Sequence, residues 1–134
     1  GGTLTGSALA MSAMKATLSS SLLEKDFEQT IGLAKSWAEG VKSVCTEFDL
    51  DWHVQQLGCR AEYWFCPPPA NGAQAAASVN PELEAYLHLA ALNRGILLTP
   101  FHNMALMCPD TTVADVDAHT KAFGAMCAEL VSPA

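Results

Sequence analysis

With 134 residues, half of them hydrophobic, the chain is long enough for one domain with a sizeable core and too apolar to be disordered. A formal charge of −7, with only 7 lysines and arginines and none of them clustered, argues against a nucleic-acid surface, and no apolar run approaches the roughly 20 residues that span a bilayer. The 5 cysteines, an odd number without a C-x-x-C pair, read as reduced thiols of a cytoplasmic protein, and the 4 histidines lack a zinc spacing, so no metal site is expected.

In chain order, a first helix is predicted from Ser7 to about Ser20, with Met11, Met14, Leu18 and Leu22 in one apolar stripe. A second runs from Glu24 to Phe48, and Phe27, Ile31, Ala34, Trp37, Val41, Val44 and Phe48 form its core side. The period then changes to two. Asp51–Leu57 and Arg60–Cys66 read as a hairpin turning at Gly58-Cys59 and stopped by Pro67-Pro68-Pro69. The 73–77 alanine run is ambiguous between loop and short helix. Asn80-Pro81-Glu82 is a strong helix start, and Gly95 a C-terminal cap. Ile96–Thr99 is predicted as a third strand and Met104–Met107 as a possible fourth. A last helix opens with a capping box, Thr112-Val113-Ala114-Asp115, and buries Val113, Val116, Phe123, Met126, Cys127 and Leu130, with His119 at its surface or boundary. The order gives an α+β fold: a small, mainly antiparallel sheet of three to four strands packed against helices.

Two stretches carry residues suited to a site. At the front, Gly1-Gly2-Thr3-Leu4-Thr5-Gly6-Ser7 places backbone-exposing glycines and hydroxyls before a helix start, where free N–H groups and the helix dipole favour an anion. It lacks the Gly-Lys-Ser/Thr of a P-loop, and the ordinary reading of such a front is a frayed end. Further on, Phe101-His102-Asn103-Met104 mixes imidazole, amide and thioether groups in a loop, where sites tend to lie; the ordinary reading is a satisfied core histidine and a turn asparagine.

The segment Gly2-Thr3-Leu4-Thr5-Gly6-Ser7-Ala8-Leu9-Ala10-Met11 resembles the G-T-L-S-G-N-P-L-A-M block of glutamate-1-semialdehyde aminomutases and related class-III aminotransferases. Leu92–Pro100 resembles the family's L-x-x-G-v-x-x-a-P strand, and Thr111–Asp117 its H-T-x-x-D-I-D helix start. The likeness spans nearly the whole chain with its blocks in the family's order. It implies a fold-type-I enzyme dependent on pyridoxal 5′-phosphate, working on a small amino-acid substrate as a homodimer. Residues 1–134 would be the single C-terminal domain of that larger enzyme, and residues 1–7 a phosphate-contacting loop. Gly2 and Thr3 would bind the phosphate of the cofactor held by the other subunit.

The departures from the family also carry expectations. Ser7-Ala8 replaces Asn-Pro, and Ser7 is expected to cap the helix. Counted without gaps from Pro100, Met104 stands where the aminomutases carry a glutamate, which favours an aminotransferase with His102, Asn103 and Met104 shaping its substrate pocket. The lysine that holds the cofactor's aldehyde lies upstream in the family, and none of Lys15, Lys25, Lys35, Lys42 and Lys121 matches its motif. No catalytic residue is therefore assigned, and the chain alone is expected to lack turnover. The chain does not open with methionine, which fits a longer reading frame. The alternative is a stand-alone, non-catalytic α+β binding or dimerisation module.

Overall fold

A two-residue turn sets the sheet. Gly58, at φ +58°, joins β1 (His53–Leu57) to β2 (Arg60–Trp64), which pair antiparallel from Leu57↔Arg60 out to His53↔Trp64. β3 (Met104–Leu106) adds antiparallel on the far side of β2, giving the order β1-β2-β3. The computed structural model describes residues 2, 5–98 and 102–132. Around the sheet are α1 (Ala8–Ser20), α2 (Glu24–Glu47), α3 (Gly72–Ala77), α4 (Pro81–Leu92) and α5 (Val113–Val131). The α+β class and the small antiparallel sheet hold, with three strands among the described residues.

Alternation along the strands gives the sheet two different faces. Val54, Ala61 and Tyr63 point inward and are buried on the side of α2, and Tyr63 also meets Phe123 of α5. Arg60, Glu62 and Trp64 point outward. α2 supplies Ala34, Trp37, Ala38, Val41 and Val44 to the core, and α5 supplies Val116, Phe123, Met126 and Cys127. α4 docks on α5 through Leu87, Ala90 and Ala91. The Tyr86 hydroxyl donates to the Met126 carbonyl at 3.1 Å, and Arg94 pairs with Glu129 at 2.6 Å. The helix ends follow local chemistry. Asn80 Oδ1 accepts from Leu83 N at 3.1 Å. Thr112 and Asp115 close their reciprocal box, and Gly95 at φ +79° ends α4 with Ile96 N bonded back to Ala91 O.

Several expectations are corrected. Residues 96–98 form no strand, because they follow the helix cap directly and pair with no neighbour in the sheet; Thr99 lies outside the described residues. The alanine run is helical, as α3, capped by Asn71. Phe27 and Ile31 are exposed, since the buried side of α2 at its start is taken by Thr30, Leu33 and Ala34, and Val113 and Leu130 at the two ends of α5 are exposed as well. Ser7 sits at the N-cap of α1 without a side-chain cap bond. His119 is not at the surface. It is 4% exposed, with its ring against Trp37 (centroids 4.9 Å apart) and Phe123 (5.9 Å).

Neither ring nitrogen of His119 has a hydrogen-bond partner, and desolvation pushes its pKa down from 6.5 to about 4. A depressed histidine binds its proton in the unfolded chain first. Its contribution is complete above pH 6.5 and is lost as pH falls toward 4, by roughly 3 kcal/mol. Urea unfolding between pH 7.5 and 4 should therefore show a steep loss of stability that His119→Leu flattens.

A second site of sensitivity is the α2–α5 crossing. A Cβ on Gly40 would run into the Thr120 hydroxyl, which is itself tethered to Val116 O at 3.1 Å. Gly40→Ala is expected to destabilise by about 1–3 kcal/mol through overpacking, despite alanine's better helix propensity. Adding Thr120→Ala should recover most of the loss in the same unfolding assay.

Candidate functional site

The β2–β3 ladder sets the positions of the residues singled out in the loop before β3 and parts them between its two sides. That ladder runs one pair past the strand, with Tyr63 N donating to Asn103 O at 3.1 Å. Asn103 therefore shares the inward side with Tyr63, while His102 and Met104 share the outward side with Glu62 and Trp64. Met104 sits directly opposite Glu62, and His102 Nδ1 lies 3.6 Å from Glu62 Oε1. The other carboxylate oxygen of Glu62 accepts from the Arg60 guanidinium. Glu62 is 14% exposed at its side chain, so it is a sheltered carboxylate between an arginine and an imidazole. The His102 carbonyl lies 3.2 Å from His88 Nε2, which ties the loop to α4.

Beside this cluster is a cavity of about 320 Å³ lined by Arg60, Glu62, Trp64, His102 and Asn103, by Glu84 from the first turn of α4, and by Ala75 and Ala76 of α3. Its volume suits a small polar molecule. Asn103 is 6% exposed and its Oδ1 has no partner. Tyr63 is also buried with an unbonded hydroxyl, and burial pushes its phenol well above the usual tyrosine range. Met104 borders a second cavity, about 200 Å³, along the free edge of β3 with Leu98, Met107, Asp115 and His119. Arg60 and Glu62 were missed from sequence. The signal was the alternation of β2, which puts Arg60, Glu62 and Trp64 on one face.

The front of the chain is arranged differently. Thr5 N donates to Gly2 O at 3.0 Å, and Gly2 N donates to Thr5 Oγ1 at 2.8 Å, so the loop closes on itself. Thr3 lies outside the described residues. Gly6 has φ +77° with open space around it, and the first N–H groups of α1 receive no side-chain cap. Among the described residues no hydrogen bond joins this loop to residues 102–104, no group of His, Cys, Asp and Glu could hold a metal, and no helix is long and apolar enough to cross a membrane.

No family model matches the chain. A "Glutamate-1-semialdehyde 2,1-aminomutase 2" of Halalkalibacterium halodurans is 31% identical over 87% of the chain, and one of Oceanobacillus iheyensis 29% identical over 91%. Two crystal structures of a glutamate-1-semialdehyde-aminomutase from Pseudomonas aeruginosa PAO1, one a lysine-to-alanine variant in complex with PMP, match 98% of the chain with TM-score 0.92 at 44% identity. The chain is similar in sequence and in fold to part of these aminomutases. It spans 27–29% of the length of these relatives. A β-phenylalanine aminotransferase from Variovorax paradoxus shares the fold, with TM-score 0.75 at 19% identity.

The Asn103 Oδ1, buried and without a hydrogen-bond partner, belongs to a residue that lines the cavity. An unsatisfied buried acceptor costs about 1–3 kcal/mol. Asn103→Leu is therefore expected to stabilise the chain by about 1 kcal/mol in urea at neutral pH. A loss of roughly 2 kcal/mol or more would show that the amide is a structural bond-maker.

Proposed function

We propose that this chain is the C-terminal domain of a pyridoxal-phosphate-dependent class-III aminotransferase, moving an amino group between an amino acid and a keto acid or aldehyde. The observation that carries the reading is the match of 98% of the chain to the aminomutase fold at 44% identity. In this reading the lysine that anchors the cofactor belongs to sequence outside these 134 residues, and residues 1–134 alone do not turn over.

The front loop fits a phosphate on its own chemistry. The opening of α1 has N–H groups that no side chain caps, Gly6 holds the chain in the left-handed region beside open space, and the hydroxyl of Thr5 already meets a backbone N–H there. Gly2 and Thr3 would hold the phosphate of a cofactor carried by the partner subunit of a homodimer. When bound, pyridoxal phosphate supplies the aldehyde and the electron sink of the reaction. The chain's own part is to bind and to shape. Gly2 and Thr3 would donate to the dianion, and His102 and Asn103 at one cavity and Met104 at the neighbouring one would bound the space for the substrate. A thioether at position 104, where the aminomutases place a carboxylate, removes a group that would hold a second amino function. This favours intermolecular amino transfer over the aminomutase reaction. The exposed stripe of Leu9, Met11, Met14 and Leu18 on α1, none of whose residues is buried, supports association of two copies.

The test is a chimera in which this chain replaces the matching segment of the Pseudomonas aeruginosa aminomutase. The chimera should bind the cofactor, and Thr3→Ala should weaken that binding about tenfold, the loss of roughly one charge-assisted hydrogen bond. A folded chimera whose cofactor affinity is unchanged by Thr3→Ala would overturn the assignment of the front loop.

A further inference from the structure

The sequence holds four asparagines, Asn71, Asn80, Asn93 and Asn103, and the fold treats their side-chain amides differently. The backbone nitrogen of the next residue can attack an asparagine carboxamide and close a succinimide ring. The attack needs an accessible nitrogen that carries a hydrogen, and little bulk on the following residue. Three of the asparagines fail on these counts. Asn80 precedes Pro81, which has no N–H. Asn93 precedes Arg94, whose N–H is bonded to Ala91 O at 2.9 Å. Asn103 is buried, is bonded to Tyr63 in the ladder and precedes the bulky Met104.

Asn71 meets every condition. It and Gly72 are both exposed, and nothing crowds Gly72 on the side where a Cβ would stand. Gly72 is the first residue of α3, where the helix itself offers its N–H no acceptor. Asn71 Oδ1 accepts from Gln74 N at 3.1 Å, and Gln74 Oε1 accepts from Ala70 N at 2.7 Å. These bonds hold the carboxamide over the start of the helix. The first also puts a donor on the oxygen that gains charge when Cγ is attacked.

We propose that the Asn71-Gly72 peptide deamidates spontaneously and in doing so loosens one wall of the cavity beside Glu62. The Gly72 nitrogen attacks Asn71 Cγ. The bond from Cγ to the side-chain nitrogen breaks, ammonia leaves with the Gly72 proton, and the succinimide remains. Water then opens the ring at either carbonyl and gives aspartate or isoaspartate. The two products differ in what they do to the fold. Aspartate keeps an acceptor at the cap and adds a negative charge at the positive end of α3. Isoaspartate routes the main chain through the side-chain carbon, and the capping geometry is lost. No residue of α3 is buried, and so short a helix does not hold by propensity, so it depends on the bonds at its ends. Ala75 and Ala76 of this helix wall the cavity that Arg60, Glu62, His102 and Asn103 also line.

The test incubates the chain at neutral and at mildly alkaline pH beside a synthetic peptide of residues 67–76, and maps both by mass spectrometry with fragment ions that tell isoaspartate from aspartate. In the folded chain Asn71 should convert within several-fold of the peptide's rate, and faster at the higher pH, because the attacking nitrogen must lose its proton. Asn80, Asn93 and Asn103 should stay amides. Gly72→Ala should slow the conversion several-fold. Amide hydrogen exchange over α3 should quicken in the isoaspartate form and keep its rate in Asn71→Asp, where the cap survives. An Asn71 that persists while the peptide converts, or that converts no faster than Asn93, would overturn the assignment. Unchanged exchange over α3 in the isoaspartate form would overturn its effect on the cavity wall. None of these readouts involves a pyridoxal cofactor, so their failure is separate from failure of the aminotransferase reading.

Discussion

Trp37 is the contact on which the rest of this structure depends. Its indole meets Tyr63 of the sheet on one side (6.1 Å, 22° between planes) and His119 of α5 on another (4.9 Å), so one side chain of α2 joins the three layers. Trp52, Phe65 and Phe123 close the cluster around Tyr63. Each such pair adds about 0.5–1.5 kcal/mol beyond the area it buries. The cluster also contains a phenol and an imidazole with no partners, a polar cost that the packing must offset. A sheet fixed this firmly on its inner side presents its outer side as a rigid surface, and Arg60, Glu62, His102 and Met104 stand there.

What was legible in the residues was whatever depends on local periodicity and end chemistry. The long stripe of α2, the Gly58 turn, the Asn80 and Thr112 caps and the alternation of β2 are all consequences of neighbours within a few positions. The misses have a common physical origin in tertiary context. Ile96-Leu97-Leu98 has strand-forming composition, yet a strand needs a partner, and these residues, delivered by the Gly95 cap, face β3 across a cavity without pairing to it. His119 looks like a polar break in an apolar stripe. Only the arrival of Trp37 from another helix shows that the ring is used as an aromatic. Phe27 and Ile31 fit the period of α2 yet stay exposed, Phe27 at the wall of an open apolar cavity.

The candidate site was legible in part for the same reason. His102 and Asn103 stood out by residue type, but their separation onto opposite sides of the ladder follows from pairing with β2, as does the meeting of His102 with Glu62. The family resemblance supplied what local rules do not reach, namely a role for the front loop. There the chain shows a state that residue types alone would not suggest: the Gly2 N–H, the proposed phosphate donor, is bonded to its own Thr5 hydroxyl.

That closure is compatible with a phosphate site on energetic grounds. A hydroxyl is a neutral acceptor, and a bond to a dianion is roughly twice as strong as a neutral one. A phosphate arriving at the uncapped start of α1 would gain from the N–H groups there and from the helix dipole, and could displace Thr5 Oγ1 from Gly2 at the loss of one ordinary hydrogen bond. The freed threonine hydroxyl then becomes a further donor to the same anion. The self-closed loop satisfies the glycine N–H while no ligand is present, and α1, with no residue buried, can be repositioned without disturbing the aromatic core. Stability rests on α2, α5 and the inner sheet face, whereas the proposed ligand contacts fall on other parts of the chain, the front loop and the loop before β3.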